Sequence, residues 1–485
     1  METLNSAVSW FSDALWSYLL IYTLIPVGIY FTFKLKFTQF VHIGHMIRLI
    51  TEGVISTDKD KKHISSFGAF TISSASRVGT GNLAGVAIAI YMGGAGAVFW
   101  MWILALVGAA SSMIENTLAQ AYKLKNGDGT YRGGPAYYMQ QGLGSKAMGV
   151  AFSILITISF GLIFNSVQAN TIVHAFDGAF PINPGVVTLG LATLTGVIIF
   201  GGLRRIVSIT QVIFPAMAGI YLVAAFIIVG MHITELPAVF GHIFSQAFGF
   251  EQAVGGGFAF MVMQGIKRGL FSNEAGMGST PNAGATAEVS HPVKQGYIQT
   301  LGVFVDTLII STATAFIILV TNVHMQGSDV NGIQLTQLAV SSSFGDWGGV
   351  FVALIVLLFS FSSIIGNYYY GESNIEYMSG SKLALNIFRV LVIFMVGVGG
   401  LAKLQSVWNL ADVFMGLMAL MNIVALLSLR KIAFKLYDDY HSQLKKGINP
   451  IFEKSTIKEL EGVECWDRKH ADSYREHHRQ RGNRI

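Results

Sequence analysis

The sequence predicts an all-α membrane protein with about eleven transmembrane helices, and three observations indicate this fold class. First, 52% of the 485 residues are hydrophobic and 12% are charged, which is about half the charge of a soluble domain. Second, apolar runs of about 20 residues recur, and this length crosses the ~30 Å hydrocarbon core of a bilayer. Third, basic residues occupy alternate loops. The composition therefore argues against a soluble enzyme and excludes a disordered chain.

The predicted spans are numbered in chain order. They cover residues 13–33, 67–91, 95–121, 147–170, 184–201, 207–230, 253–275, 294–322, 347–371, 383–401 and 405–429. Span seven is the least regular because it contains Lys267, Arg268 and Glu274. The alternative for this run is a buried re-entrant segment.

The distribution of Lys and Arg predicts the topology. The loops near residues 1–12, 171–183, 231–252 and 323–346 contain neither residue type, whereas the loops between them are basic. Lys403, in a tight turn, is the exception. By the positive-inside rule, the N-terminus is predicted outside and the C-terminus inside.

Two segments share a pattern. Span two contains RVGTGNLAG at 77–85 and span seven contains RGLFSNEAG at 268–276, and both fit R-x4-N-x-A-G. A chance match in a Gly- and Ala-rich chain is the alternative. If the match is real, each segment opens a half of five spans, and an odd number of spans makes the two halves cross in opposite directions. Paired, Gly-interrupted segments of an inverted repeat indicate the binding site of a transporter.

This repeat divides the chain into four parts. We expect an extra N-terminal helix and loop at 1–66, repeat one at 67–230, repeat two at 253–429, and a cytoplasmic tail at 430–485.

The interrupted helices suit a zwitterionic substrate and a cation. An unwound helix offers free N–H groups to a carboxylate and free carbonyls to a cation, near the middle of the bilayer. Glycine permits the unwinding at little steric cost. We therefore expect the substrate carboxylate and the backbone cation contacts at Gly79, Thr80, Gly81 and Asn82.

Other function classes find less support. An ion channel should show a repeated filter or polar pore-lining stripes, and none stands out. The chain contains no H-E-x-x-H, G-x-S-x-G or P-loop motif, which argues against an enzyme and an ATP-driven pump. We expect no cofactor, no nucleic acid and no obligatory protein partner.

Several motifs resemble those of a known family. Residues 93–108, GGAGAVFWMWILALVG, are similar to the signature of the sodium:alanine symporter family (alanine/glycine:cation symporters). Further similar motifs are GGPAYY at 133–138, NSVQAN at 165–170, SNEAGMG at 272–278 and YYYGE at 368–372. The resemblance implies a LeuT-type inverted-repeat fold with one extra N-terminal helix. It also implies import of a neutral amino acid, of the alanine/glycine class, with Na⁺ or H⁺ across a cell membrane, the bacterial plasma membrane.

The resemblance also assigns roles in span nine. It implies that Ser362 and Ser363 bind Na⁺ together with backbone near Val78. The alternative is that both hydroxyls bond back to their own helix, as serines within helices often do. Many family members have Trp where this chain has Asn367, one helical turn after Ser363 and on the same helix face. Asn would enlarge the substrate pocket and add a donor and an acceptor. This predicts a longer polar substrate, such as glutamine.

Each of the remaining candidate residues has two alternative roles. Gln168, Gln264, Phe271, Ser272 and Asn273 are expected near the substrate, although Gln in a membrane also joins helices. The intramembrane charges Arg77, Glu115, Arg268 and Asp306 act in gating or coupling, or form structural ion pairs with one another. Either arginine caps a broken helix or closes a cytoplasmic gate. Glu274 and Glu372 are expected at the membrane interface.

Overall fold

Helices form most of the described chain, which in this computed structural model comprises residues 2–52, 63–249, 257–325 and 330–480. The α-helices up to residue 231 are α1 (Glu2–Leu15), α2 (Ile21–Lys34), α3 (Thr38–Val41), α4 (Ile43–Ile50), α5 (Ser66–Arg77), α6 (Val86–Gly93), α7 (Gly96–Ala121), α8 (Pro135–Leu143), α9 (Lys146–Ile156), α10 (Asn165–Ala179), α11 (Pro184–Ile199) and α12 (Gly202–Met231). The later ones are α13 (Leu236–Phe248), α14 (Gly257–Asn273), α15 (Pro281–Gly284), α16 (Pro292–Phe304), α17 (Thr312–Val320), α18 (Ile333–Phe344), α19 (Asp346–Met378), α20 (Lys382–Leu401), α21 (Leu404–Lys445) and α22 (Arg468–Gln480).

Shorter elements connect these helices. π-Helical segments join neighbouring helices end to end at Trp16–Leu20, Thr157–Phe164 and Val305–Ser311. A fourth, Gly81–Gly85, leads directly into α6. Within the described residues, β1 (Leu124–Lys125) pairs with β2 (Tyr131–Arg132) as an antiparallel hairpin, with Leu124 opposite Arg132.

Local sequence explains several helix boundaries. The Ser65 hydroxyl accepts a hydrogen bond from the Gly68 N–H at 3.0 Å and caps α5. Asn183 caps α11 in the same way through the Gly185 N–H, and Pro184 occupies the first helical position. These are the residue types that helix N-termini prefer, because they satisfy free N–H groups or lack one.

The structure confirms an all-α, multi-pass membrane protein. Its described part has eight helices that are long and apolar enough to cross a membrane, at Ser6–Lys34, Gly96–Ala121, Lys146–Ala179, Gly202–Met231, Pro292–Val320, Asp346–Met378, Lys382–Leu401 and Leu404–Lys445. Predicted span five corresponds to the 16-residue helix α11. Predicted spans two and seven are interrupted helices. The count of eleven crossings and the orientation of the termini stay predictions.

The two ends of the molecule differ. We call one end the tail face; it is formed by residues 42–52, 285–294 and 446–474. There the Phe452 N–H donates to the Ser290 carbonyl at 2.8 Å, and the buried Trp466 indole donates to the Gln120 carbonyl at 3.0 Å. We call the other end, formed by residues 93–96, 182–184, 322–325 and 402–404, the opposite face.

The last predicted span continues as a helix beyond the expected start of the tail. The predicted boundary at residue 430 lies inside α21, which continues to Lys445. Beyond it, Trp466 and Tyr474 are buried against the tail face. The segment that was expected to be a solvated tail is therefore partly packed, because it carries large apolar side chains among its charges.

Candidate functional site

The first interrupted helix breaks directly after Arg77. Val78 is extended, with φ −80° and ψ 90°, and helical structure resumes at Gly81 as a π-turn that leads into α6. Two N–H groups of the break point to side-chain acceptors. The Gly79 N–H donates to Asn82 Oδ1 at 3.0 Å, and the Thr80 N–H donates to Gln168 Oε1 at 3.0 Å. Span four thus contacts the break through Gln168.

Close packing at the break requires glycine. A Cβ on Gly79 would overlap Ser363 Oγ and lie 2.9 Å from Gln168 Oε1. A Cβ on Gly81 would lie 3.0 Å from the Cα of Ser272. Spans four, seven and nine can therefore approach this backbone only because it has no side chain there.

Five neutral oxygens converge between α5 and span nine. Ser363 Oγ lies 2.9 Å from the Ala75 carbonyl, 3.4 Å from the Val78 carbonyl and 3.1 Å from the Phe359 carbonyl. Ser362 Oγ lies 2.8 Å from the Phe359 carbonyl and 3.4 Å from the Ala75 carbonyl. Hard cations prefer oxygen ligands of this kind. Ala75 and Phe359 were not identified from the sequence, because only their backbone takes part.

A buried carboxylate links the two interrupted helices. Asp306 Oδ1 accepts a hydrogen bond from Asn82 Nδ2 at 2.8 Å, and Asp306 Oδ2 accepts from Ser272 Oγ at 2.9 Å and from Thr307 Oγ1 at 2.8 Å. Asn82 Nδ2 also lies 3.0 Å from Ser311 Oγ. Asn82 of span two and Ser272 of span seven therefore meet on Asp306, in span eight.

The second interrupted helix breaks after Asn273. Asn273 Nδ2 donates to Thr307 Oγ1 at 3.2 Å, and its Oδ1 accepts the Ala275 N–H at 3.0 Å. Glu274 has a left-handed backbone, with φ 56°. This conformation is costly for a side chain other than glycine, and such strain concentrates at functional sites.

Glu115 from span three holds the second break in place. Its carboxylate accepts the Gly276 N–H at 3.1 Å, the Gly278 N–H at 2.9 Å and Asn422 Nδ2 at 2.8 Å. Among the described residues neither Glu115 nor Asp306 forms an ion pair with Arg77 or Arg268. The expected pairings are therefore replaced by hydrogen bonds to neutral donors.

The position of Glu274 contradicts the prediction of an interfacial residue. Its side chain is 1% exposed, and its carboxyl oxygens lie 2.7 Å from Ser76 Oγ and 2.6 Å from Ser279 Oγ. The helix ends one residue earlier, and the left-handed turn directs the carboxyl inward. Ser76 Oγ lies equally close, 2.7 Å, to Asn367 Oδ1. Glu274 is thus a site residue that the sequence analysis missed, although its place between Asn273 and Ala275, two matching positions of the repeat, was a usable signal.

An aromatic layer separates the break in span seven from the opposite face. The Phe271 ring lies between the rings of Phe164 and Trp408, with centroid distances of 4.7 and 4.6 Å. The Arg268 guanidinium lies 4.7 Å from the centre of the Trp408 ring and forms an ion pair with Asp412. Phe271 is therefore close to the break, as expected, but as part of this layer.

The surroundings of Arg268, Arg77 and Gln264 differ from what the sequence predicted. Arg268 and Gln264 line a cleft with Asp13 of the N-terminal helix, so Arg268 belongs to the side of the opposite face and not to a gate at the tail. Arg77 instead donates to the Gln299 carbonyl at 3.1 Å. Gln264 precedes Asn273 by nine residues, about 13 Å along a helix, so the structure does not bring it to the break.

Glu372 lies in α19 and forms an ion pair with Arg389 at 3.1 Å. The two residues line a cleft with Asp128 and Arg132 of the β1–β2 hairpin. This carboxylate is separate from the site around the breaks.

Comparison with known proteins adds an independent finding. The model of the sodium:alanine symporter family matches residues 1–454. The amino-acid carrier protein AlsT of Bacillus subtilis is 53% identical over 463 residues, which cover 96% of this chain and 98% of that relative. The "Probable sodium/glutamine symporter GlnT" of the same species is 50% identical over 466 residues, with 96% of both chains covered. The sodium/proton-dependent alanine carrier protein of Bacillus sp. PS3 is 35% identical over 439 residues, 87% of this chain and 97% of that relative.

Solved structures support the fold. The crystal structure of MhsT in complex with L-phenylalanine superimposes with a TM-score of 0.53 at 15% identity, covering 78% of this chain and 99% of that one. A manganese transporter of Eremococcus coleocola gives a TM-score of 0.52 at 13% identity, covering 77% of this chain and 84% of that one. These likenesses confirm the LeuT-type fold.

Proposed function

Because the chain belongs to the sodium:alanine symporter family, we propose that it imports a neutral amino acid with Na⁺ by alternating access. The protein is a multi-pass protein of the bacterial plasma membrane. One observation carries the proposal most directly. Oxygens of span nine and of the last turn before the first break converge on one point, directly beside the backbone that would bind a substrate.

The oxygen cluster suits Na⁺. Its ligands are the hydroxyls of Ser362 and Ser363 and the carbonyls of Ala75, Val78 and Phe359. All five are uncharged, which favours a monovalent hard cation over a transition metal. Within the described residues no group of three or more His, Cys, Asp or Glu side chains could hold a metal ion. A bound Na⁺ would fix the extended Val78 and thereby order the break.

The substrate carboxylate would bind the N–H groups of the first break. Gly79 and Thr80 direct these groups to Asn82 Oδ1 and Gln168 Oε1. A carboxylate is a stronger acceptor than an amide oxygen because it is charged, so it would replace them. Asn82 and Gln168 would then be free to turn towards the substrate, and Ser272 would contact it from the second break.

Asn367 is proposed to select the side chain of the substrate. It is 1% exposed, and its Nδ2 has no hydrogen-bond partner among the described residues. A buried donor without a partner is costly, and the carbonyl of a substrate carboxamide would satisfy it. We therefore propose glutamine as a substrate, in keeping with the printed name of the relative GlnT.

The two faces fit alternating access. The cleft of Arg268, Trp408 and Asp412 leads from the opposite face towards the aromatic layer. The tail face is closed by hydrogen bonds such as that from the Glu288 N–H to the Ile64 carbonyl at 2.9 Å. Rigid-body rocking of one helix bundle against the other would close this cleft and open the tail face. Coupling is reciprocal, so Na⁺ should raise substrate affinity and substrate should raise Na⁺ affinity.

Uptake into proteoliposomes tests the proposal. A panel of labelled amino acids is offered with and without an inward Na⁺ gradient, and alanine and glutamine compete for the best substrate. We expect uptake to depend on the Na⁺ gradient and glutamine to compete at least as well as alanine. Uptake that is indifferent to Na⁺ would contradict the symporter. Alanine competing far better than glutamine would contradict the role of Asn367.

A further inference from the structure

The buried charges around the two breaks do not balance. Arg77, Glu115, Glu274 and Asp306 are each at most 1% exposed. If all four side chains were ionised, this cluster would carry two excess negative charges in a low-dielectric interior. Buried charge without compensation is strongly unfavourable. The cluster therefore needs bound cations or protons.

Arg268 does not supply the missing positive charge. Together with Lys267 it contacts Asp412, with a Lys267 Nζ to Asp412 distance of 3.5 Å. Lys267 also lies 3.5 Å from Asp13. These two bases and two acids balance each other on the far side of the aromatic layer.

The hydrogen-bond partners distinguish the three carboxyl groups. Glu115 accepts hydrogen bonds from two backbone N–H groups and from an Asn amide. Asp306 accepts one hydrogen bond from the Asn82 amide and two from hydroxyls. These donors serve an ionised carboxylate well. Among the described residues, the Glu274 carboxyl group forms hydrogen bonds only with hydroxyls, those of Ser76 and Ser279. A hydroxyl can also accept a hydrogen bond.

The Ser76 hydroxyl lies between two acceptor atoms. Its single hydroxyl proton cannot serve both Glu274 Oε1 and Asn367 Oδ1, although each lies 2.7 Å away. A protonated Glu274 would donate to Ser76, and Ser76 would donate to Asn367. Turning the Asn367 amide instead would supply the proton but leave Asn367 Oδ1 without a donor. Only the protonated acid keeps Asn367 Nδ2 available for a substrate.

We propose that Glu274 binds a proton that is transported together with the amino acid and Na⁺. This rests on the proposed symporter function and deepens it. The groups that face Glu274 are Ser76 and Arg77 from α5, Ser279, Asp306 from span eight and Tyr370 from α19. Asn367 lies beyond Ser76, and Glu115 lies beyond Arg77.

The position of Glu274 provides a route for release. One carboxyl oxygen contacts Ser76 in α5 and the other contacts Ser279, just before α15. Opening of the tail face would separate these two segments and admit water. In contact with water at neutral pH, the Glu274 carboxylic acid would ionise. Its proton would therefore be released at the tail face.

Proton entry into proteoliposomes tests the proposal. A pH-sensitive dye is enclosed in the lumen, the membrane voltage is clamped, and the best substrate from the amino-acid panel is added with an inward Na⁺ gradient. We expect the wild type to acidify the lumen in proportion to uptake. Glu274→Gln has nearly the same shape and should reduce proton entry per substrate molecule at least tenfold while Na⁺-driven uptake remains measurable. Glu372→Gln, in α19, is the matched control and should keep the wild-type ratio of protons to substrate molecules.

The outcomes separate this inference from the proposed function. Na⁺-driven uptake by the wild type without acidification overturns the proton site but leaves the symporter intact. A wild-type proton ratio in Glu274→Gln also overturns it. If Glu274→Gln does not transport, Na⁺-dependent substrate binding in detergent is compared at pH 6 and 8. Affinity should fall at least threefold at the higher pH in the wild type and stay constant in the variant, and equal pH dependence would overturn the site. Absence of Na⁺-dependent wild-type uptake would instead contradict the proposed function.

Discussion

The Ser363 hydroxyl lies 2.9 Å from the Ala75 carbonyl, across the contact between span nine and α5. If the point between them binds Na⁺, Ser363→Ala removes one of five ligands. We expect the half-saturating Na⁺ concentration for uptake to rise at least tenfold, about 1.4 kcal/mol. Thr171→Ala removes a buried hydroxyl that bonds only to its own helix, at Val167, and should leave this concentration within about twofold. Equal effects of both variants would argue against a cation site.

Gly79→Ala tests whether the first break must be free of side chains. The new methyl group would overlap Ser363 Oγ and crowd Gln168 Oε1, so we expect uptake to fall at least a hundredfold. The control is Gly190→Ala, because a Cβ on Gly190 has nothing within 4 Å and alanine favours a helix. Uptake per folded molecule is measured after the monodisperse fraction has been quantified. Normal uptake by Gly79→Ala would show that the substrate and the cation bind elsewhere.

Asn367→Trp tests the side-chain pocket. Trp is much larger than Asn and removes the carboxamide, so we expect glutamine uptake to fall at least tenfold more than alanine uptake. Competition curves of both amino acids against a common label give this ratio. Alanine uptake is the internal control for folding. An equal loss of glutamine and alanine uptake would show that Asn367 supports the fold through its contact with Ser76 and does not select the substrate.

Asp412→Asn tests the charge cluster beside the cleft. The variant leaves Arg268 and Lys267, both nearly buried, without their shared counter-ion. Breaking a buried pair in this way costs about 3–5 kcal/mol, so a clear drop in melting temperature in detergent is expected. Asp13→Asn is the matched control, because Asp13 also contacts Lys267 but is 54% exposed. An exposed pair contributes at most about 1 kcal/mol, and equal destabilisation by both variants would contradict this explanation.

The folded protein should lose stability in acid because of His45, a residue of the tail face. Burial, followed by the positive charges of His42, Lys294 and Arg48, lowers the pKa of His45 from 6.5 to about 4, with Glu52 opposing the shift. The unfolded chain therefore binds more protons than the folded chain between these values, and stability falls as the pH drops from about 6.5 to 4. Melting temperatures of the wild type and of His45→Gln across this range should converge at low pH. A constant difference would show that His45 does not contribute.

Much of the fold follows from residue patterns, because a membrane span needs a long apolar run whatever its neighbours are. The repeat pattern placed both breaks within a few residues, since Gly79, Gly81 and Gly276 mark backbone that helices avoid. It also brought Asn82 and Ser272 into one site, where they meet on Asp306.

The rest depends on side-chain direction, which periodicity does not encode once a helix is broken. Glu274 looked interfacial because it ends an apolar run, but its left-handed backbone turns it inward. Arg268 has the same place in its repeat as Arg77, yet Asp412 is its partner, and Asp412 is 144 residues distant in the chain. The backbone ligands Ala75 and Phe359 carry no chemical signal in their side chains at all.

The packing of Trp466 on the Gln120 carbonyl also has a consequence for biosynthesis. Trp466 lies beyond Lys445, the end of α21, so it is synthesised after all eight of the long apolar helices that the structure describes. The tail face is therefore closed only after those helices have been made. A truncated translation product can insert all of its membrane helices and still lack the part that closes them.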